Sequence, residues 1–147
     1  MELKLSEAEI FMGALAGVTR CIKGMRSLDD RYGVDRTWDI DIEGCLAEMA
    51  LAKFLNLYWR GINKVKGTDV GEKTECRSTS YLNGRLILHE DDDDDTRYWL
   101  VTGVLGHYHI RGWILGCNGK AERFWQDPTG KNRWAFFVPQ NELEVAS

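Results

Sequence analysis

Three segments of this chain place charged side chains in apolar or β-prone surroundings. Gly44, Glu48, Ala52 and Leu55 fall on one stripe of a helical pattern. Further on comes Gly67-Thr68-Asp69-Val70-Gly71, then Thr74-Glu75-Cys76-Arg77-Ser78-Thr79. A helical Glu, an Asp beside a glycine and a Glu-x-Arg strand together suit a metal site that hydrolyses phosphodiesters. Mg²⁺ prefers hard oxygen ligands, usually one or two carboxylates completed by waters and substrate phosphate. Asp69 and Glu75 can supply the carboxylates, and the backbone carbonyl of Cys76 a further oxygen. Arg77 shares a strand face with Glu75, about 7 Å along. A guanidinium does not deprotonate in proteins, so Arg77 is not a general base. It can hold and neutralise a scissile phosphate in bidentate geometry while the metal activates the attacking water. Glu48 would complete the site through a water or a second metal. The plainer alternatives are a same-face ion pair between Glu75 and Arg77, and a Glu48 carboxylate paired with Lys53 or an arginine at the rim of the core.

The elements that must position these groups read as follows. Leu5-Ser6-Glu7-Ala8-Glu9-Ile10 carries the marks of a helix start. Ser6 caps, Glu9 closes a capping box, and Leu5 packs on Ile10 as a staple. The helix runs to about Met25, with Gly13 and Gly17 permitting close packing. A loop is expected over 27–38. A second helix is expected from about Asp41 to Leu57, apolar nearly all round, so that Glu48 stands out. The pattern then turns to β. Strands are expected at 74–79, 97–104, 107–115 and 134–138, the last stopped by Pro139. Asn83-Gly84 predicts a hairpin between Ser80-Tyr81-Leu82 and Arg85-Leu86-Ile87-Leu88. Residues 118–126 suggest a short helix, and Asp127-Pro128-Thr129-Gly130 a turn. No repeat or linker divides the chain, so one layered α/β domain over 1–147 is expected.

Composition bounds the rest. The chain has 147 residues, 44% of them hydrophobic, enough for a real core. No run approaches the roughly 20 apolar residues that span a bilayer. The N-terminus lacks the apolar stretch of a signal peptide, so a cytoplasmic protein is expected. Cys21, Cys45, Cys76 and Cys117 form no Cys-x-x-Cys pair and read as reduced, small apolar residues. The net charge of −4 gives no support to nucleic-acid binding from the total. Arg111, Lys120, Arg123, Lys131 and Arg133 in one segment, and Arg20, Lys23, Arg26, Arg31 and Arg36 in another, leave a local basic surface open.

Other residues carry weaker chemical signals. Asp91 to Asp95 lack the glycine of an EF-hand and read as a mobile, solvated loop rather than a Ca²⁺ site. His107 and His109 share a strand face but have no evident third zinc ligand. His89 beside the acidic loop is a weak proton-shuttle candidate. Trp113, Trp125 and Trp134 beside basic residues leave base stacking open, though core packing suits them better.

The chain resembles the small PD-(D/E)XK nuclease-like proteins of phages and prophages. The matching pieces are Glu9, Arg20 and Arg26 in the first helix, Gly44 to Asn56, Asp69-Val70-Gly71, Glu75-Cys76-Arg77, Gly84 to Leu88, Tyr98-Trp99-Leu100-Val101, Arg111-Gly112-Trp113-Ile114 and Phe137-Val138-Pro139-Gln140. The resemblance implies a restriction-endonuclease-like layered domain, a mixed β-sheet flanked by helices. It implies Mg²⁺- or Mn²⁺-dependent cleavage of DNA in a bacterial host by Asp69, Glu75 and the residue at Arg77, with Glu48 in support. Arg77 stands where the family usually has Lys, Thr68 where it has Pro, and the Asp-to-Glu spacing is short. These departures carry the second expectation, an inactive relative that binds DNA or a host protein. In either case Glu48, Asp69, Glu75 and Arg77 are expected to converge in one cleft.

Overall fold

The computed structural model describes residues 1–27, 37–62 and 69–145. Most of the expected first loop, together with Gly67 and Thr68, lies outside the described residues. The helix start follows the sequence reading closely. The Ser6 N–H donates to Glu9 Oε2 at 2.7 Å and the Glu9 N–H to Ser6 Oγ at 3.2 Å, a reciprocal capping box. Helix α1 (Glu7–Ser27) then packs along α2 (Trp38–Leu55). Gly17 sits at their closest approach, where an added Cβ would lie 2.5 Å from Ile42 Cα. Helix α2 starts earlier than expected and ends at Asn56, in the left-handed conformation at φ 54°.

The main sheet has the order β1 (Glu2–Lys4), β5 (His107–Leu115), β4 (Arg97–Val104), β2 (Thr74–Thr79). β2 runs parallel to β4 and the other pairs are antiparallel, so the sheet is mixed and the protein α/β. β2, which carries Glu75 and Arg77, forms one edge. The short β1 escaped the sequence reading because three residues give no period.

A second antiparallel sheet, β3 (Leu86–Leu88), β7 (Ala135–Val138), β6 (Trp125–Gln126), replaces the expected hairpin. Asn83-Gly84 does turn the chain, with the Gly84 N–H donating to Tyr81 O at 2.9 Å. Residues 80–82, however, form no strand. Leu86 and Leu88 are fully buried only by pairing with Val138 and Phe136, and that burial outweighs the local hairpin signal. The expected short helix at 118–126 is instead the single turn α3 (Gly116–Gly119) and a 3-10 turn over Glu122–Phe124.

Two cores follow. Leu46, Ala50, Leu51, Trp99, Val101 and Ile110 fill the space between the helices and the main sheet. Leu86, Leu88, Tyr98, Leu100, Ile114 and Val138 fill the space between the two sheets. The layers are therefore helices, mixed sheet and small sheet, with α1 and α2 on one face of the main sheet rather than on both. No described helix is long and apolar enough to cross a membrane.

Candidate functional site

Glu48 is buried in α2 at 4% exposure. Arg20 of α1 grips it with a two-pronged fork, Nη1 to Oε1 at 2.9 Å and Nη2 to Oε2 at 2.8 Å. Trp59 Nε1 donates to Oε2 at 3.2 Å. The Arg20 guanidinium also donates to the carbonyl of Gly61. Burial works against the Arg20 charge, but the hydrogen bond and charge of Glu48 outweigh it and raise its pKa. The charge of Asp69 adds a smaller contribution in the same direction. Of the two plainer readings of Glu48, the arginine pair is the observed one; Lys53 instead bridges to Glu9 at 3.0 Å.

Asp69 is buried at 2% exposure just before β2. Its Oδ2 accepts the Cys76 backbone N–H at 3.1 Å. In a strand, the N–H and C=O of one residue point to the same side. The Cys76 carbonyl therefore faces the same outer edge of β2 as the Asp69 carboxylate.

Glu75 and Arg77 share a face, as their spacing requires, but it is the face turned away from the helices. Glu75 is in register with Tyr98 and Arg77 with Leu100, and both partners belong to the core between the sheets. Cys76, one residue out of phase, packs with Trp99 on the helix side. The expected convergence of all four residues therefore does not occur. Glu48 with Arg20 lies on the helix side of the main sheet, and Glu75 with Arg77 on the other. The reason is parity: a period of two cannot put residues 75 and 77 on the helix side once Cys76 is there.

Arg77 is the hub on its face. Nη1 donates to Glu75 Oε2 at 2.8 Å, and Nη2 to Asp92 Oδ1 at 2.9 Å. Its guanidinium lies 4.9 Å from the centroid of the Tyr98 ring. Burial opposes the Arg77 charge, yet Asp92 and Glu75 raise its pKa above the ordinary value. Asp92 in turn accepts the His89 N–H at 2.8 Å through Oδ2. Lys120 donates to the Asp92 carbonyl at 2.6 Å and pairs with Asp94. The Asp93 N–H donates to the Tyr98 hydroxyl at 2.9 Å, and the Cys117 N–H to Asp94 O at 2.9 Å. The acidic segment expected to be mobile is thus tied down by Arg77 of β2, Tyr98 of β4, and Cys117 and Lys120 at α3. Asp92, Tyr98 and Lys120 were missed because no local spacing links them to residues 75–77.

The remaining candidates stay separate. His107 and His109 project from β5 beside β1. His89 is exposed. Arg97 stacks on Trp113 at 4.9 Å, and Trp125 stacks on the half-exposed Trp134 at 6.0 Å. Among the described residues, no group of three or more His, Cys, Asp or Glu side chains could hold one metal ion.

An open groove of about 480 Å³ lies elsewhere, between the start of α2 and the β4–β5 turn. Exposed Ile40, Val104 and Leu105 and the carboxylates of Asp39 and Glu43 line it. Glu43 is fixed there by the Tyr108 hydroxyl at 2.7 Å and the Leu105 N–H at 3.0 Å. Burial, reinforced by that bond to Glu43, raises the Tyr108 phenol well above its ordinary pKa. Compared with known proteins, the chain matches no family model, no curated protein and no solved structure.

Proposed function

We propose that this chain is a non-catalytic binding protein whose partner is another protein. The observation that carries the reading is the engagement of the expected catalytic charges inside the fold. Arg20 neutralises Glu48, and Arg77 neutralises Glu75 and Asp92, on opposite faces of the sheet. A phosphate would have to displace a buried, charge-assisted pair to reach either arginine. Lys120 and Arg123 are likewise paired with Asp94 and Glu142, and the net charge of −4 adds no general attraction for DNA. The groove beside α2 has the opposite character. Its apolar floor and carboxylate rim suit an apolar side chain flanked by Lys or Arg. Synthetic peptides with Leu or Phe between basic residues, followed by fluorescence anisotropy, test this. Basic-apolar peptides are expected to bind, and Leu105→Ser to weaken binding at least about tenfold. Equal binding of acidic versions, or no effect of Leu105→Ser, would contradict it.

One observation favours a second reading, a DNA endonuclease of restriction-endonuclease-like fold. Asp69 and the Cys76 carbonyl share the outer edge of β2, next to Glu75. Mg²⁺ or Mn²⁺ there would take Asp69, the Cys76 carbonyl and Glu75 as ligands and polarise a phosphate. Glu75 would first have to exchange Arg77 for the cation. Metal-dependent cleavage of plasmid DNA that Asp69→Asn abolishes would establish it.

A further inference from the structure

Helix α1 is apolar on two opposite sides. Gly13, Gly17 and Cys21 face α2, where an added Cβ on Gly13 would meet Leu46 and one on Gly17 would meet Ile42. On the other side, Ala8, Phe11, Met12, Leu15, Thr19 and Ile22 recur at steps of three and four. Phe11, Met12, Leu15 and Ile22 are 70%, 61%, 57% and 38% exposed. Thr19 interrupts the stripe least, because its hydroxyl turns back to Leu15 O at 3.0 Å. An exposed apolar helix face of this length ordinarily marks a covered surface.

We propose that a second copy of this chain covers the outer face of α1, in an antiparallel helix pair centred on Leu15. The stripe is self-complementary about that residue. With Leu15 facing its own counterpart, Phe11 comes opposite Thr19 and Ala8 opposite Ile22 of the second copy. A twofold axis needs such a pattern, since each residue must meet its mirror position. Charge selects the direction. The first turn of α1 carries Glu7 and Glu9, and the exposed Lys23 lies near its other end. An antiparallel pair sets the acidic first turn of one copy beside the Lys23 end of the other, and the two helix dipoles oppose. A parallel pair would set like charge against like. Rim charges of this kind fix orientation more than affinity. This inference is independent of the peptide groove and of any catalysis.

Sedimentation equilibrium of the whole chain over a concentration series reads the outcome. The wild type is expected to form a dimer, twice 16.9 kDa, with a Kd on the order of micromolar. Leu15→Glu is expected to be monomeric with an unchanged circular dichroism spectrum. Crosslinking in a Cys117→Ser background fixes the register and does not depend on Leu15→Glu folding. Leu15→Cys is expected to form a disulfide-linked dimer on mild oxidation. Phe11→Cys is not, because the two copies of residue 11 would stand about 12 Å apart along the helices. A wild type that stays monomeric at several hundred micromolar, or a Leu15→Glu variant that still dimerises, would overturn the proposal. So would Phe11→Cys crosslinking as readily as Leu15→Cys.

Discussion

Arg77 stands at the centre of the residue-scale account, because its partners decide whether Glu75 is available for chemistry. Its side chain is 25% exposed, and those of Glu75 and Asp92 are 9% and 11% exposed. Removing one partner from such a buried group leaves the others uncompensated, at a cost of about 3–5 kcal/mol. Arg77→Ala is therefore expected to lower the unfolding free energy by that amount, read from denaturant unfolding. Arg77→Lys should lose less, since an ammonium keeps the charge but not the fork. Adding Glu75→Gln and Asp92→Asn to Arg77→Ala should restore much of the loss. A change under about 0.5 kcal/mol for Arg77→Ala would mean that the network is a surface feature. The Glu75–Arg77 pairing was legible, since both fall on one strand face. Asp92 was not, because only the tertiary fold brings the acidic loop to that strand.

Two element-scale outcomes follow from the packing. Alanine favours a helix over glycine by about 1 kcal/mol. At Gly17 the added Cβ would lie 2.8 Å from Asp41 O as well as against Ile42 Cα, all backbone of α2. Backbone cannot step aside as a side chain can, so overpacking of about 1–3 kcal/mol should win. Gly17→Ala is expected to be net destabilising in thermal unfolding, and a rise in Tm would contradict the close approach. In the acidic loop, Asp92→Ser should cost about 1–3 kcal/mol, while Asp91→Ser at an exposed position should stay within about 0.5. Equal effects would restore the mobile loop that the sequence predicts. The capping box at Ser6 and Glu9 was legible because its partners are three residues apart. The pairing of β3 with β7 was not, because partners some fifty residues apart leave no local pattern.

The whole molecule is expected to lose stability in alkali. Burial, then the charges of Asp92 and Glu75, raises the Tyr98 phenol, and burial with Glu43 raises Tyr108. In the unfolded chain both would ionise near the ordinary pKa of about 10. A folded pKa above the unfolded one means stability is fully present below about pH 10 and falls as pH rises beyond it. Urea midpoints should therefore drop between about pH 10 and 11, less steeply in Tyr108→Phe. A flat profile over that range would contradict the burial of these phenols. At this scale the α/β class was legible from the order of helical and strand periods. The second sheet was not, and with it went the knowledge of which face Glu75 and Arg77 adopt. Whether charges held on two faces of the sheet retain any catalysis is tested most directly by one assay. Supercoiled plasmid and single-stranded DNA are incubated with the protein and Mg²⁺ or Mn²⁺, beside Asp69→Asn and a chelator control. No cleavage above the Asp69→Asn background is expected. Metal-dependent cleavage by the wild type that Asp69→Asn abolishes would contradict the account.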